Sequence, residues 1–170
     1  MGRQKTLARA TLDEHDATRN RADLTVTLMM MLEQGQGTSL IGKTLGIVGG
    51  GPFADELARR ARDELGMEVS VASVAEIETV VATADVLALA ATDCSEALIA
   101  GPELDRMKDS ASLVNTCSAH LVDQTALAQA LMFDVIAGAA LDIYGYGRLN
   151  PLLAQCPSLV TMDRMLPELA

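Results

Sequence analysis

Past residue 43, short apolar runs alternate with segments whose apolar positions recur every three or four residues. The runs TLGIV (44–48), EVSVA (68–72), VLALA (86–90), SLVNT (112–116), VIAGAAL (135–141) and SLVTM (158–162) predict strands. Strands that alternate with amphipathic helices predict a parallel sheet with crossover connections. The expected fold class is α/β: a Rossmann-like doubly wound parallel sheet of about six strands, helices on both faces, three layers α/β/α.

The helical segments fit that frame. FADELARRARDEL puts Phe53, Ala54, Leu57, Ala58, Ala61 and Leu65 on one face, with Arg59, Arg60 and Asp63 turned mostly away, and Gly66 ends it. Ser73 followed by Glu76 reads as a capping box opening one helix over 74–84, with Val74, Ile77, Val81 and Ala84 toward the sheet. Asp123 is placed to cap QTALAQALM. Upstream, ADLTVTLMMMLEQ (22–34) is apolar nearly all round and must be buried, either under the sheet or against a second copy of the chain. The expected organisation is a polar segment over 1–21, then one dinucleotide-binding domain over 22–170, opened by a helix that is a candidate for homodimer formation.

Composition narrows the partners. At 170 residues and 49% hydrophobic content the chain can bury an ordinary core, and with only 2% aromatics that core is built from small aliphatic side chains. A net charge of −10 opposes phosphate backbones, so nucleic acid is not an expected partner. The longest apolar run, residues 24–32, is too short to span a bilayer, and the N-terminus lacks a signal-type apolar core, so no membrane association is expected. Cys94, Cys117 and Cys156 are spaced neither as a metal site nor as a disulfide framework, so no metal and a cytoplasmic location are expected.

The chemistry concentrates in GIVGGGPFA (46–54). Gly49, Gly51 and Ala54 form a G-x-G-x-x-A pattern after a predicted strand and at the start of a predicted helix. Gly49 permits the tight turn, Gly51 lets a pyrophosphate approach the backbone, and Ala54 allows close helix–strand packing. The helix N-terminus offers N–H groups and partial positive charge. The alternative is a turn that keeps its glycines for backbone geometry alone. The second strand ends in Ser73 where a ribose-binding carboxylate is expected; Glu68 stands at its start and Glu76 on the next helix. Ser73 can accommodate a 2′-phosphate, yet no lysine or arginine adjoins it. NAD, NADP and no cofactor at all stay open.

In order along the chain stand GKTLGIVGGGPFADELARRA, ADVLALA, ELDRMK, LVNTCSAHLVDQTALAQAL, IAGAALDIY and NPLLAQCPSLVTM. Together they resemble the nucleotide-binding domain of the D-2-hydroxyacid dehydrogenase family, over about residues 22–165. The resemblance implies a Rossmann domain that binds NAD or NADP, usually dimerises, and works with a separate substrate domain. It implies that Gly49, Gly51 and the backbone near Pro52 and Phe53 face the pyrophosphate, that Thr116 and Cys117 line the nicotinamide side, and that Asp142 holds the carboxamide. A capped strand end is the other reading of Asp142.

In that family an arginine polarises the substrate carbonyl, and a histidine kept protonated by a glutamate delivers the proton, since hydride addition needs the developing oxygen charge stabilised. The corresponding positions here read Ser118, Gly147 and Arg164. With about 40 residues before the first strand and eight after the last, a substrate domain drawn from both ends is not expected within this sequence. Substitute candidates are His120 as acid or base, Cys117 as nucleophile, Tyr144 beside Tyr146 as a ligand cover, and Arg164 as a carboxylate partner. The expected function is a stand-alone NAD(P)-binding module, not a dehydrogenase, with a small-molecule or dinucleotide ligand. The alternatives are a small enzyme reusing the cofactor cleft for cyclisation, elimination or isomerisation, and an oxidoreductase completed by a partner subunit.

Overall fold

The computed structural model describes the backbone of residues 2–91, 94–142 and 148–161, with side chains from residue 14 onward. Six parallel strands form one sheet: β1 (Thr44–Gly49), β2 (Glu68–Ala72), β3 (Val86–Ala90), β4 (Ser112–Asn115), β5 (Gly138–Leu141) and β6 (Leu159–Thr161). Their spatial order is β2-β1-β3-β4-β5-β6, which is the Rossmann-like doubly wound arrangement the alternation predicts. Strands β3, β4 and β5 are buried at every position, because helices cover both faces of a central parallel strand. The order reverses between β1 and β3, and this reversal opens a crevice at their C-terminal ends.

The two faces carry separate apolar clusters. Helices α1 (Gly2–Gln36) and α2 (Pro52–Asp63) cover one, packing Leu28, Met29, Phe53 and Leu57 on Leu45, Ile47 and Ala88. The short helices α3 (Glu78–Val81) and α4 (Gly101–Leu104), with α5 (Gln124–Met132), cover the other around Leu87, Leu89 and Leu113. Alternate residues of each strand feed opposite faces, as the two-residue period requires.

Several boundaries differ from expectation for local reasons. Helix α1 is not confined to 22–34 but runs from Gly2. Its buried positions Ala22, Thr25, Val26, Leu28, Met29, Leu32 and Glu33 form one helical stripe against α2 and strands β4–β6, so burial comes from the same chain, while Met30 stays 53% exposed. The helix expected over 74–84 is instead a 3-10 turn (Val74–Glu76) followed by the single turn of α3. Ser73 does not cap it; its hydroxyl donates to Glu76 Oε2 at 2.8 Å. β-Branched residues crowd this stretch, and Thr79 and Thr83 bond back to the carbonyls of Glu76 and Thr79. Val80, Val81 and Ala84 are buried, Ile77 only partly, and Val74 is exposed.

Strand β5 starts at Gly138 rather than residue 135, because the preceding residues stop α5. Asp134 takes a positive φ of 53°, and Val135 N–H returns to the Ala130 carbonyl at 2.8 Å. At its other end α5 is capped as expected: Asp123 Oδ1 accepts from the N–H groups of Thr125 and Ala126. Strand β4 ends one residue early because Asn115 closes the turn, accepting from Cys117 N–H and donating to the Ser118 carbonyl.

Candidate functional site

The glycine turn joins β1 to α2 at the crevice. Gly49 has φ 117°, and a Cβ there would lie 2.3 Å from the Ala90 carbonyl oxygen, so only glycine lets β1 and β3 approach this closely. Gly51 is the N-cap of α2 with φ 90°, and no side chain caps the helix. A Cβ at Gly50 or Gly51 would meet nothing within 4 Å, so the turn faces open space. The first intrahelical bond runs from Asp55 N–H to the Gly51 carbonyl, which leaves the N–H groups of Phe53 and Ala54 at an uncapped positive helix end.

That open space is a cleft of about 560 Å³. Gly50, Gly51, Pro52 and Phe53 form one wall, Ala90 and Cys117 the floor, and Glu14, Ala17, Thr18 and Arg21 of α1 the opposite wall. Phe53 does not fill the cradle; it is 9% exposed and packs with Ala22 and Val26 between α1 and α2. The Arg21 guanidinium lies 5.7 Å from the centre of its ring.

The sequence-designated residues fall along one edge of the sheet. Ser73 follows β2, Gly49 and Gly51 follow β1, Thr116 and Cys117 follow β4, and Asp142 follows β5. Thr116 is buried behind the cleft, its hydroxyl bonded to Thr25 Oγ1 at 2.8 Å, so of this pair only Cys117 lines the cavity. Burial pushes the Cys117 thiol above its ordinary value, with Arg21 pulling the other way, and Sγ lies 3.2 Å from the Leu89 carbonyl. Cys117 is therefore held as a neutral thiol at physiological pH. Asp142 anchors its N–H on the Asn115 carbonyl and is half-buried. Glu76 ends the 3-10 turn after β2, and its carboxylate accepts from the hydroxyl of Ser73, the residue that immediately follows the strand. His120 is exposed, and its Nδ1 pairs with Ser118 Oγ at 2.7 Å, outside the cleft lining. Tyr144, Tyr146, Gly147 and Arg164 lie outside the described residues. Among the described residues no three metal-ligating side chains cluster, and no helix is long and apolar enough to cross a membrane.

Sequence reading missed the α1 wall. Glu14, Ala17, Thr18 and Arg21 share a helical stripe that was assigned to a polar segment because its periodicity is polar, not apolar.

Comparison with known proteins bears on this geometry. The family described as D-isomer specific 2-hydroxyacid dehydrogenase, NAD binding domain, matches residues 6–165. Glycerate dehydrogenase of Methylorubrum extorquens is 38% identical over 112 residues, 61% of this chain and 35% of its own length. Glyoxylate reductase of Aeropyrum pernix is 37% identical over 139 residues, 72% of this chain and 40% of its own. The chain thus spans at most about two fifths of these relatives' length. The crystal structure of TT0316 protein from Thermus thermophilus superimposes with a TM-score of 0.76 at 28% identity, covering 85% of this chain and 57% of that one. The NAD-complexed D-isomer specific 2-hydroxyacid dehydrogenase of Lactobacillus delbrueckii ssp. bulgaricus gives 0.74 at 25%, covering 85% and 60%. The chain belongs to the NAD-binding domain family of the D-isomer specific 2-hydroxyacid dehydrogenases.

Proposed function

We propose that this chain holds a nicotinamide dinucleotide along the C-terminal edge of its sheet, and that its own residues bind and orient the cofactor without completing a dehydrogenase site. One observation carries the first half: the uncapped N-terminus of α2, reached through Gly50 and Gly51, opens on a cleft of about 560 Å³ with no Cβ in the way. Backbone N–H groups at such a helix end suit a diphosphate. Ser73 and Asp142, on opposite sides of the cleft, are the candidate ribose and carboxamide ends. Once bound, the dinucleotide would supply hydride chemistry; the protein's part is position and solvent exclusion.

NAD is the preferred form in this reading. The Glu76 carboxylate beside Ser73 suits ribose hydroxyls and repels a 2′-phosphate, and no lysine or arginine occurs between residues 63 and 105 to offset it.

The second half rests on Ser118, which stands at the position of the family's arginine with its hydroxyl paired to His120. Neither side chain carries a fixed positive charge to polarise a substrate carbonyl. The expected self-association would use Met30 and Ile41, which are 53% and 77% exposed and line a cleft with Leu40, Leu65, Glu33 and Glu64.

The relatives' names give the second reading: a glyoxylate or glycerate oxidoreductase whose arginine, histidine and substrate pocket come from other polypeptide. An assay of NADH oxidation with glyoxylate and hydroxypyruvate separates the two. The binding-module reading expects NADH to bind without turnover of either, by this chain alone or mixed with candidate partner polypeptides; turnover that appears once a partner is added overturns it in favour of the reductase.

A further inference from the structure

We propose that Arg21, on the helix preceding the sheet, is a binding residue for the dinucleotide's diphosphate; this rests on the reading that a dinucleotide occupies the cleft. The glycine turn offers only backbone N–H groups and the partial charge of a helix end. A diphosphate carries two negative charges, and this chain bears a net charge of −10, with Glu14 in the same cleft wall. A full positive charge would offset that repulsion, and among the described residues lining the cleft Arg21 alone supplies one.

Its environment keeps that charge uncommitted. Lys43, Arg59, Arg60, Arg106 and Lys108 each pair with a carboxylate, whereas Arg21 has none within ion-pair distance among the described residues. It is held instead by the Phe53 ring and by proximity to the Cys117 thiol. Phe53 is the second residue of α2, so a guanidinium over its ring stands beside the same helix end whose N–H groups are free. Arg21 lines the cleft beside this helix end, and the planar N–H fork of a guanidinium matches two phosphate oxygens. The carbonyl of Arg21 accepts from Thr25 Oγ1, and that hydroxyl is bonded to Thr116, so the residue's backbone is tied to the end of β4.

The test compares wild type, Arg21→Gln and Arg21→Lys by calorimetric titration with NADH and by competition with inorganic pyrophosphate. Arg21→Gln is expected to weaken both ligands by about tenfold, and Arg21→Lys, which keeps charge and stem but loses the fork, by about threefold. A residue that only packs α1 against Phe53 would shift the unliganded melting temperature but leave pyrophosphate competition unchanged. Equal affinities for both ligands in wild type and Arg21→Gln overturn the Arg21 assignment and leave the dinucleotide reading intact. Failure of wild type to bind NADH overturns that reading and this inference with it.

Discussion

Thr25 Oγ1 and Thr116 Oγ1 lie 2.8 Å apart, joining the middle of α1 to the end of β4 inside the core. The pair fixes the helix whose next turn back carries Arg21 to the strand end that carries Cys117. Replacing one partner leaves a buried hydroxyl without that bond. Thr25→Val is predicted to cost about 1–2 kcal/mol, and the double variant Thr25→Val/Thr116→Val less than the sum of the singles. Urea denaturation of the four proteins measures the coupling.

Gly49 and Gly50 are adjacent but answer to different demands. A methyl group at Gly49 collides with the Ala90 carbonyl at a φ that favours glycine, so Gly49→Ala is predicted to destabilise by roughly 2–4 kcal/mol. At Gly50 the same methyl group points into open space. Gly50→Ala should leave the melting temperature within about 2 °C of wild type and still weaken NADH, because the cost falls on the ligand's approach. Thermal melts with and without NADH distinguish the two.

Asp85 supplies a pH signature. Burial raises its pKa, but Lys108 Nζ at 2.7 Å, the Thr44 N–H at 2.8 Å and the nearby lysine charges outweigh it and hold the carboxyl below its ordinary value. A carboxyl depressed in the folded state contributes stability above its unfolded pKa of about 3.9, and that contribution is lost as pH falls through the folded value. Wild type should therefore exceed Asp85→Asn in stability at neutral pH, with the gap closing below about pH 4. Urea midpoints from neutral to acid pH test it; a gap that widens in acid would contradict it.

Cofactor choice is predicted to turn on Glu76. Its carboxylate, held by Ser73 at 2.8 Å, is predicted to favour NADH over NADPH. Glu76→Gln should narrow that preference by about tenfold, chiefly by improving NADPH. Parallel fluorescence titrations with the two cofactors read the ratio directly.

The sequence patterns reveal the sheet well because each strand is a short apolar run between polar punctuation, and parallel burial demands that pattern. Strand β2 and strand β3 match their predicted limits residue for residue. The misplaced boundaries have side-chain causes that local propensity does not carry. Ser73 looks like an N-cap until its hydroxyl is seen on the Glu76 carboxylate, and residues 135–137 look like strand until Asp134 turns left-handed to stop α5. The glycine turn was legible because its residues are consecutive. Arg21 was not, since it reaches the cleft from a helix more than two dozen residues upstream, and only the packing of α1 on α2 brings it to Phe53.

The most direct test of the account is an isothermal titration of NADH into wild type and into Gly50→Val, a variant that crowds the open cradle without touching the core. Saturable binding to wild type at about one site per chain, weakened at least about tenfold in Gly50→Val, is the predicted result. No heat from wild type at millimolar NADH, or equal affinity in the two proteins, would contradict it.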